Sequence, residues 1–281
     1  VDDRERRVAE TVKAAILEDA ARRDATTKLL VDAGRAGDAV IRAKARGVVS
    51  GHDAAREAFR ALDPAIAYSA ASPDGSRVEP GAAVARIYGR VRAILSAERT
   101  ALNFLQHLSG VATLAAAFAE KVAGTGAVIL DTRKTTPGLR FLEKEAVVHG
   151  GGRNHRADLA SMILVKDNHI AAAGGIAAAV KRLGAARLAE SEIEVGSLEE
   201  LRVLRDTPPL RIMLDNFDPA GVAEAVAEMR GWPVRPEIEV SGGVSLENAA
   251  AYAAAGVDFI SVGALTSRAG VLDMSLDLEG V

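Results

Sequence analysis

From residue 127 to residue 262 the chain alternates short apolar runs with amphipathic stretches, and no other feature limits the fold as much. Strands are expected at 127–131, 162–165, 192–195, 211–214, 237–240 and 259–262. Helical periodicity falls between them, at 138–149, 176–183, 198–205, 219–229 and 246–255. Strands that alternate with helices pair in parallel, because a helical crossover returns the chain to the same end of the sheet. Six such strands are fewer than the eight of the usual α/β barrel. The pattern alone leaves open whether the sheet closes.

The first third follows a different rule. An amphipathic helix is expected at about 3–19, where Val8, Val12 and Ile16 recur at helical spacing. Strand-like runs at 38–43, 65–70 and 83–88, a helix at 53–62 and a Pro/Gly turn at 72–81 describe a small α+β domain with an antiparallel sheet. A long helix at 97–122 bridges the two parts. The tail at 273–279 alternates Met274, Leu276 and Leu278, and is expected to return as an edge strand of the first domain. The expected domains are therefore 1–108, joined by 267–281, and a barrel over 109–266.

Composition removes several classes of function. With a net charge of −3, nucleic acid and anionic membrane have no general attraction to this chain. Aromatics at 4% argue against a base-stacking platform. The absence of cysteine excludes disulfides, a thiolate nucleophile and a zinc–thiolate site, and fits a cytoplasmic protein. No apolar run approaches the ~20 residues of a membrane span. The cations that matter must therefore be local ones.

Those cations stand where the strands end. Arg133 and Lys134 follow the first barrel strand, and Lys166, Asp167, Asn168 and His169 follow the second. Next come Glu194, then Asp215 and Asn216, then Ser241-Gly242-Gly243, and last Gly263. Active sites of α/β barrels lie at the carboxyl ends of the strands, and phosphate sites commonly use the loops after the last two. Glycine-rich loops offer close backbone approach and free N–H donors for phosphate. Arg133 and Arg156 can each grip a carboxylate through two hydrogen bonds. His155 and Arg156 follow the triple glycine 150–152 and are candidates for the same site. Glu194 and Asp215 are suited either to a divalent cation or to an ion network with Lys166 and Lys134. His52, His107 and His149 are expected at exposed or helix-surface positions. Together these groups call for a small substrate with several negative charges.

The pieces AERTALNFLQHLSGVAT (97–113), DTRKTTPGLR (131–140), GGGRNHR (150–156), VKDNHI (165–170), EIEVGSLEE (192–200), IMLDN (212–216), EVSGGV (239–244) and GVDFISVGALT (256–266) resemble, in this order, the quinolinate phosphoribosyltransferases. The resemblance runs from about Ile16 to Leu278. It implies an N-terminal α/β sandwich domain and an open, incomplete TIM-like α/β barrel. The implied reaction is phosphoribosyl transfer from phosphoribosyl pyrophosphate to quinolinate with loss of CO2, in NAD biosynthesis, with Mg2+. It further implies a homodimer whose Arg99 enters the partner's site. Arg133, His155, Arg156 and Lys166 match positions that hold quinolinate. Lys134, Glu194, Asp215, Ser241, Gly242 and Gly263 match positions around phosphoribosyl pyrophosphate and its metal, and Gly243 completes their loop. Lys134, Lys166, Glu194 and Asp215 are the expected catalytic groups. Two departures stand out: Ser161 where the family usually has aspartate, and Ser267-Arg268 where it usually has His-Ser. A nicotinate phosphoribosyltransferase, a phosphate-binding isomerase or aldolase barrel, and a non-catalytic anion-binding paralogue are the competing readings.

Overall fold

The computed structural model describes residues 2–279; Val1, Gly280 and Val281, which the expected domain boundaries include, lie outside them. Contacts divide the chain into two units. The first takes in the chain up to Ala116, residues 136–151 and the segment from Ala269 on; the second holds 117–135 and 152–268.

A four-stranded antiparallel sheet is the centre of the first unit. Met274–Glu279 forms one edge, followed in order by Ala36–Ala43, Ala83–Arg90 and Ala67–Ala70. The tail pairs with Ala36–Ala43 in the register Ile41↔Leu276, so the alternation in the tail does mark an edge strand. Helix Asp3–Glu18 buries Val8, Val12 and Ile16, and the Asp2 side chain accepts from the Arg4 amide at its start. Arg4 then donates to Asp53 at 2.8 Å and to Glu145 at 2.7 Å.

Glu145 lies on helix Arg140–His149, which follows the first barrel strand in sequence yet groups with the first unit. Its contacts explain why. Glu143 is buried and bonds His107 at 2.8 Å, and Gly150 packs against the backbone of Ala112 and Ala116. His52 and His149 are likewise engaged, His52 with Tyr68 at 2.7 Å and His149 with Ser50 at 2.8 Å. The expectation of exposed or helix-surface histidines is corrected most clearly at His52, which is buried.

The long helix begins at Val91, not at Ala97, and runs to Lys121. Length and hydropathy alone would let it cross a membrane, but two thirds of its apolar stretch is buried within the protein. Gly110 sits where that helix meets the backbone of Gly270: a Cβ there would lie 1.8 Å from the Gly270 oxygen. Gly110→Ala must push two backbones apart, and is expected to lower stability by about 3 kcal/mol or more, read as a fall in the urea midpoint at unchanged slope.

The second unit is a six-stranded parallel sheet. Its spatial order is Val128–Leu130, Phe259–Ser261, Glu237–Ser241, Arg211–Asp215, Ser191–Val195 and Ile163–Val165. Among the described residues the two end strands do not pair with each other; Arg153 lies beside Leu130 in a single parallel bridge. This is the open, incomplete barrel. Side chains of a strand alternate between its faces. One set, Ile193, Val195, Ile212, Leu214, Ile238, Val240, Ile260 and Val262, is buried and apolar. On the four central strands the other set is Glu192, Glu194, Arg211, Met213, Asp215, Glu237, Glu239, Ser241, Phe259 and Ser261. That face of the central strands is therefore largely polar, while the end strands add Leu130 and Leu164 to it.

The helices between these strands carry ordinary caps: Ser197 accepts from the Glu200 amide, and Asp218 from the Gly221 amide beside Pro219. Three short helices were not expected, Ala25–Leu30, Asp167–Ala173 and Ala264–Ser267, because none is long enough to show a period. The same is true of the two-residue strands Gly47–Val48 and Arg77–Val78, the latter inside the expected turn. The last of the expected barrel helices begins at Ala249, not Leu246, because Asn248 accepts from the Ser245 amide and donates to the Gly243 carbonyl, holding the preceding residues in a turn.

Candidate active site

At the carboxyl ends of the parallel strands lies a cavity of ≈ 490 Å³. Arg133, Lys134, His155, Arg156, Lys166, Glu194, Asp215, Ser241 and Gly242 line it. Nine of the residues singled out in the sequence thus share one cavity, and six different chain segments supply them. Gly243 adjoins the lining on the same loop. Gly263 packs behind Lys134: a Cβ at Gly263 would lie 2.9 Å from the lysine Cδ. Arg99 lies on the long helix in the first unit and does not line this cavity.

One wall is cationic. Arg156 donates through Nη1 to the Met162 carbonyl at 3.2 Å. Its guanidinium is easier to deprotonate than an ordinary one, first because of burial and then because Arg133 is close by. Two guanidiniums that oppose each other this way are stabilised by an anion placed between them. Lys166 extends the wall at the end of the edge strand, and its Nζ bonds Glu194 Oε2. Of the two alternatives drawn from the sequence, the ion pair with a lysine is the one present here.

Next to Lys166, at the ends of the two neighbouring strands, the lining is acidic. Glu194 is buried and Asp215 partly so. The Asp215 carboxyl is held above its usual range by burial and then by the charge of Glu194, while Lys166 and Lys134 work the other way. Two neighbouring carboxylates of this kind are the hard oxygen donors that a small divalent cation neutralises. Asn216, at a positive φ of 58°, donates from its side chain to Asp215 Oδ2 at 2.6 Å and from its backbone to the Ser241 carbonyl at 2.9 Å. This ties the acidic end of one strand to the glycine loop of the next. Gly242 has φ +88°, and Asn216 fills the space where its Cβ would be.

Several groups escaped the sequence reading. Asp131 is fully buried and accepts from the His155 backbone amide at 2.8 Å, so the end of the first strand anchors the His155–Arg156 segment. His169, by contrast, is among the strand-end residues named from the sequence, and it accepts from the Lys166 amide through Nδ1 at 3.0 Å and caps the short helix. Deeper still, Glu192, Glu239, Arg211 and Ser261 form a buried polar cluster. Its signal was present as one tetrapeptide used twice, Glu192-Ile-Glu194-Val and Glu237-Ile-Glu239-Val. An acid at every second position of an otherwise apolar strand marks a face that does not pack like a core. Ser161 donates from its amide to Asp158 at 2.8 Å, and Ser267 caps back to the Gly263 carbonyl at 2.9 Å.

The profile described as "Quinolinate phosphoribosyl transferase, C-terminal domain" matches residues 111–277, and that of the N-terminal domain matches residues 24–109. The chain is 41% identical over 263 residues to a nicotinate-nucleotide pyrophosphorylase (carboxylating) of Mycobacterium leprae, covering 91% of each. It is 42% identical over 245 residues to a probable enzyme of the same name from Archaeoglobus fulgidus, covering 85% of this chain and 93% of that one. A solved nicotinate-nucleotide pyrophosphorylase from Francisella tularensis superposes with a TM-score of 0.88 at 36% identity, covering 99% of this chain and 98% of that one. With both domains matched and the fold shared along its whole length, the chain belongs to the quinolinate phosphoribosyltransferase family.

Proposed function

We propose that this protein transfers the phosphoribosyl group of phosphoribosyl pyrophosphate to quinolinate and releases CO2, forming nicotinate mononucleotide and pyrophosphate. The observation that carries this reading is the pair Arg133 and Arg156 in one cavity with the acids Glu194 and Asp215. A dicarboxylate needs the first pair, and a sugar carbon that becomes positive in the transition state needs the second.

Arg133, Arg156 and Lys166 bind the two carboxylates of quinolinate and turn its ring nitrogen toward the ribose. Ser241, Gly242 and Gly243 present backbone donors to the phosphate ester, and Lys134, packed on Gly263, faces the pyrophosphate. Glu194 and Asp215 would hold Mg2+, which when bound neutralises charge on the pyrophosphate as it leaves. As the bond from the ribose carbon to the pyrophosphate oxygen breaks, the two carboxylates stabilise the positive charge on that carbon. The ring nitrogen supplies the electron pair for the new bond and becomes cationic. The neighbouring C–C bond then breaks, CO2 departs, and its electron pair stays on the ring carbon beside the cationic nitrogen until a proton is taken up. No further organic cofactor is required. Lys166 has a second task, since its ammonium neutralises Glu194 before substrate arrives.

The test is to incubate the protein with quinolinate, phosphoribosyl pyrophosphate and Mg2+, and to follow CO2 and nicotinate mononucleotide together. Equal formation of both supports the reading. Mononucleotide from nicotinate without CO2 overturns it in favour of a monocarboxylate enzyme. Chelation with EDTA should lower the rate by about 100-fold or more, with recovery on adding Mg2+.

We further propose that the working unit is a dimer in which Arg99 of one copy serves the cavity of the other. Arg99→Ala and Lys166→Ala should each be nearly inactive. Refolded together in equal amounts, they should regain roughly a quarter of wild-type activity, because half the dimers then carry one intact site of two. No recovery on mixing would place Arg99 in its own chain's site.

A further inference from the structure

We infer that the buried carboxyl pair Glu192 and Glu239 fixes the imidazole of His155 as a positioning group for Arg156, so that His155 acts on the acid substrate through Arg156 and not through a hydrogen bond of its own. The inference rests on the reading of the cavity as a quinolinate site.

The Arg156 backbone N–H donates to His155 Nδ1 at 2.7 Å. A backbone N–H is always a donor, so Nδ1 must accept, and the ring proton must sit on Nε2. Nε2 in turn lies 3.0 Å from Glu192 Oε2 and 3.6 Å from Glu239 Oε2. Both ring nitrogens are thereby used inside the protein. What the ring offers the cavity is carbon. With its own amide bonded to Asp131 at 2.8 Å, His155 is held at three atoms. The residue it steadies is the next one in the chain, whose guanidinium faces the substrate.

The carboxyl pair is itself held from the far side. Arg211 Nη1 donates to Glu239 Oε2 at 2.9 Å, and Ser261 donates to Glu239 Oε1. Arg211 lies flat on the Phe259 ring, 3.9 Å from its centroid. Neither glutamate is exposed to solvent. Burial raises the proton affinity of Glu239, and the charge of Glu192 beside it adds to the effect. The ligand types here would suit a metal ion, with His155, Glu192 and Glu239 within reach of one another. The guanidinium of Arg211 on Glu239 already supplies the positive charge, and a dication would have to displace it.

Glu192→Leu removes the acceptor of the imidazole N–H, whereas Glu192→Gln keeps one. The leucine variant is expected to raise the KM for quinolinate about tenfold with the KM for phosphoribosyl pyrophosphate within about twofold, and glutamine should bring the first back to within about threefold of wild type. Equal rises in both KM values, or a glutamine variant as impaired as the leucine one, would overturn the proposal. Should Glu192→Leu fail to fold, 15N NMR of the histidine-labelled wild type decides, with the His155 signal assigned from His155→Asn. The Nε2–H form, unchanged when quinolinate is added, supports the inference; an Nδ1–H or doubly protonated ring overturns it. Failure of the wild type to turn over quinolinate would instead sink the functional reading, and the tautomer measurement would still stand.

Discussion

Replacing Arg133 by alanine will raise the KM for quinolinate by roughly 100-fold and leave that for phosphoribosyl pyrophosphate within about threefold, because losing one member of a desolvated charge pair costs about 3 kcal/mol. Arg133 follows the first barrel strand and faces the cavity together with Arg156. Its charge is strong enough there to weaken the neighbouring guanidinium's hold on its proton. Removing it relieves Arg156 in the empty enzyme and leaves one substrate carboxylate without a partner in the complex. Both effects disfavour binding of the diacid. Calorimetry with quinolinate alone is the direct check. Equal losses for both substrates would show that Arg133 shapes the whole cavity and does not bind one ligand.

Gly242→Ala should give the opposite split. At φ +88° an alanine is strained, and its Cβ would lie 2.2 Å from Asn216 Oδ1 and 2.9 Å from the Asn216 backbone nitrogen. The backbone atom cannot rotate away. The Asn216 side chain cannot move without releasing Asp215 Oδ2, which it holds at 2.6 Å. The phosphate loop and one of the two carboxylates are displaced together. The expected result is a fall of about 100-fold in kcat/KM for phosphoribosyl pyrophosphate, with quinolinate affinity by calorimetry within about threefold. An unchanged rate would mean that the loop moves freely and that its N–H donors are not preset for phosphate. The two variants together divide the cavity into an acid half and a phosphate half.

Much of this site could be read from the sequence because strand ends are legible: an apolar run that stops in Arg-Lys, Lys-Asp, Asp-Asn or Ser-Gly-Gly announces its own terminus. Parallel alternation then puts all those termini on one side, and nine of the named residues share the cavity for that reason. What stayed hidden had no terminus to mark it. Glu192 and Glu239 sit inside strands, and their role depends on the partner across the sheet, where Glu239 pairs in register with Phe259 and Met213. Register between distant strands is not written in any single segment. The grouping of helix Arg140–His149 with the first unit was hidden for a related reason. It follows from Glu143 finding His107 and Gly150 finding Ala112, contacts made across about thirty-six residues of chain. Short helices such as Asp167–Ala173 carry too few turns for periodicity to show.

The division of the four central barrel strands into an apolar face and a largely polar face has a consequence for how this protein can change. Odd and even positions answer to different demands. Ile193, Ile212, Ile238 and Ile260 are the positions at which truncation should cost stability, by about 2–4 kcal/mol for a change to alanine. Beside the first three of them Glu192, Glu194, Arg211 and Glu239 hold charge in a largely dry setting, which folding alone would not favour. An apolar substitution at Glu192 should therefore cost less heat stability than truncation of Ile193, and should show its effect in the KM for quinolinate. Scanned residue by residue, the central strands would show a checkerboard of heat-sensitive and rate-sensitive positions, and new substrates could be explored on one colour while the fold rests on the other.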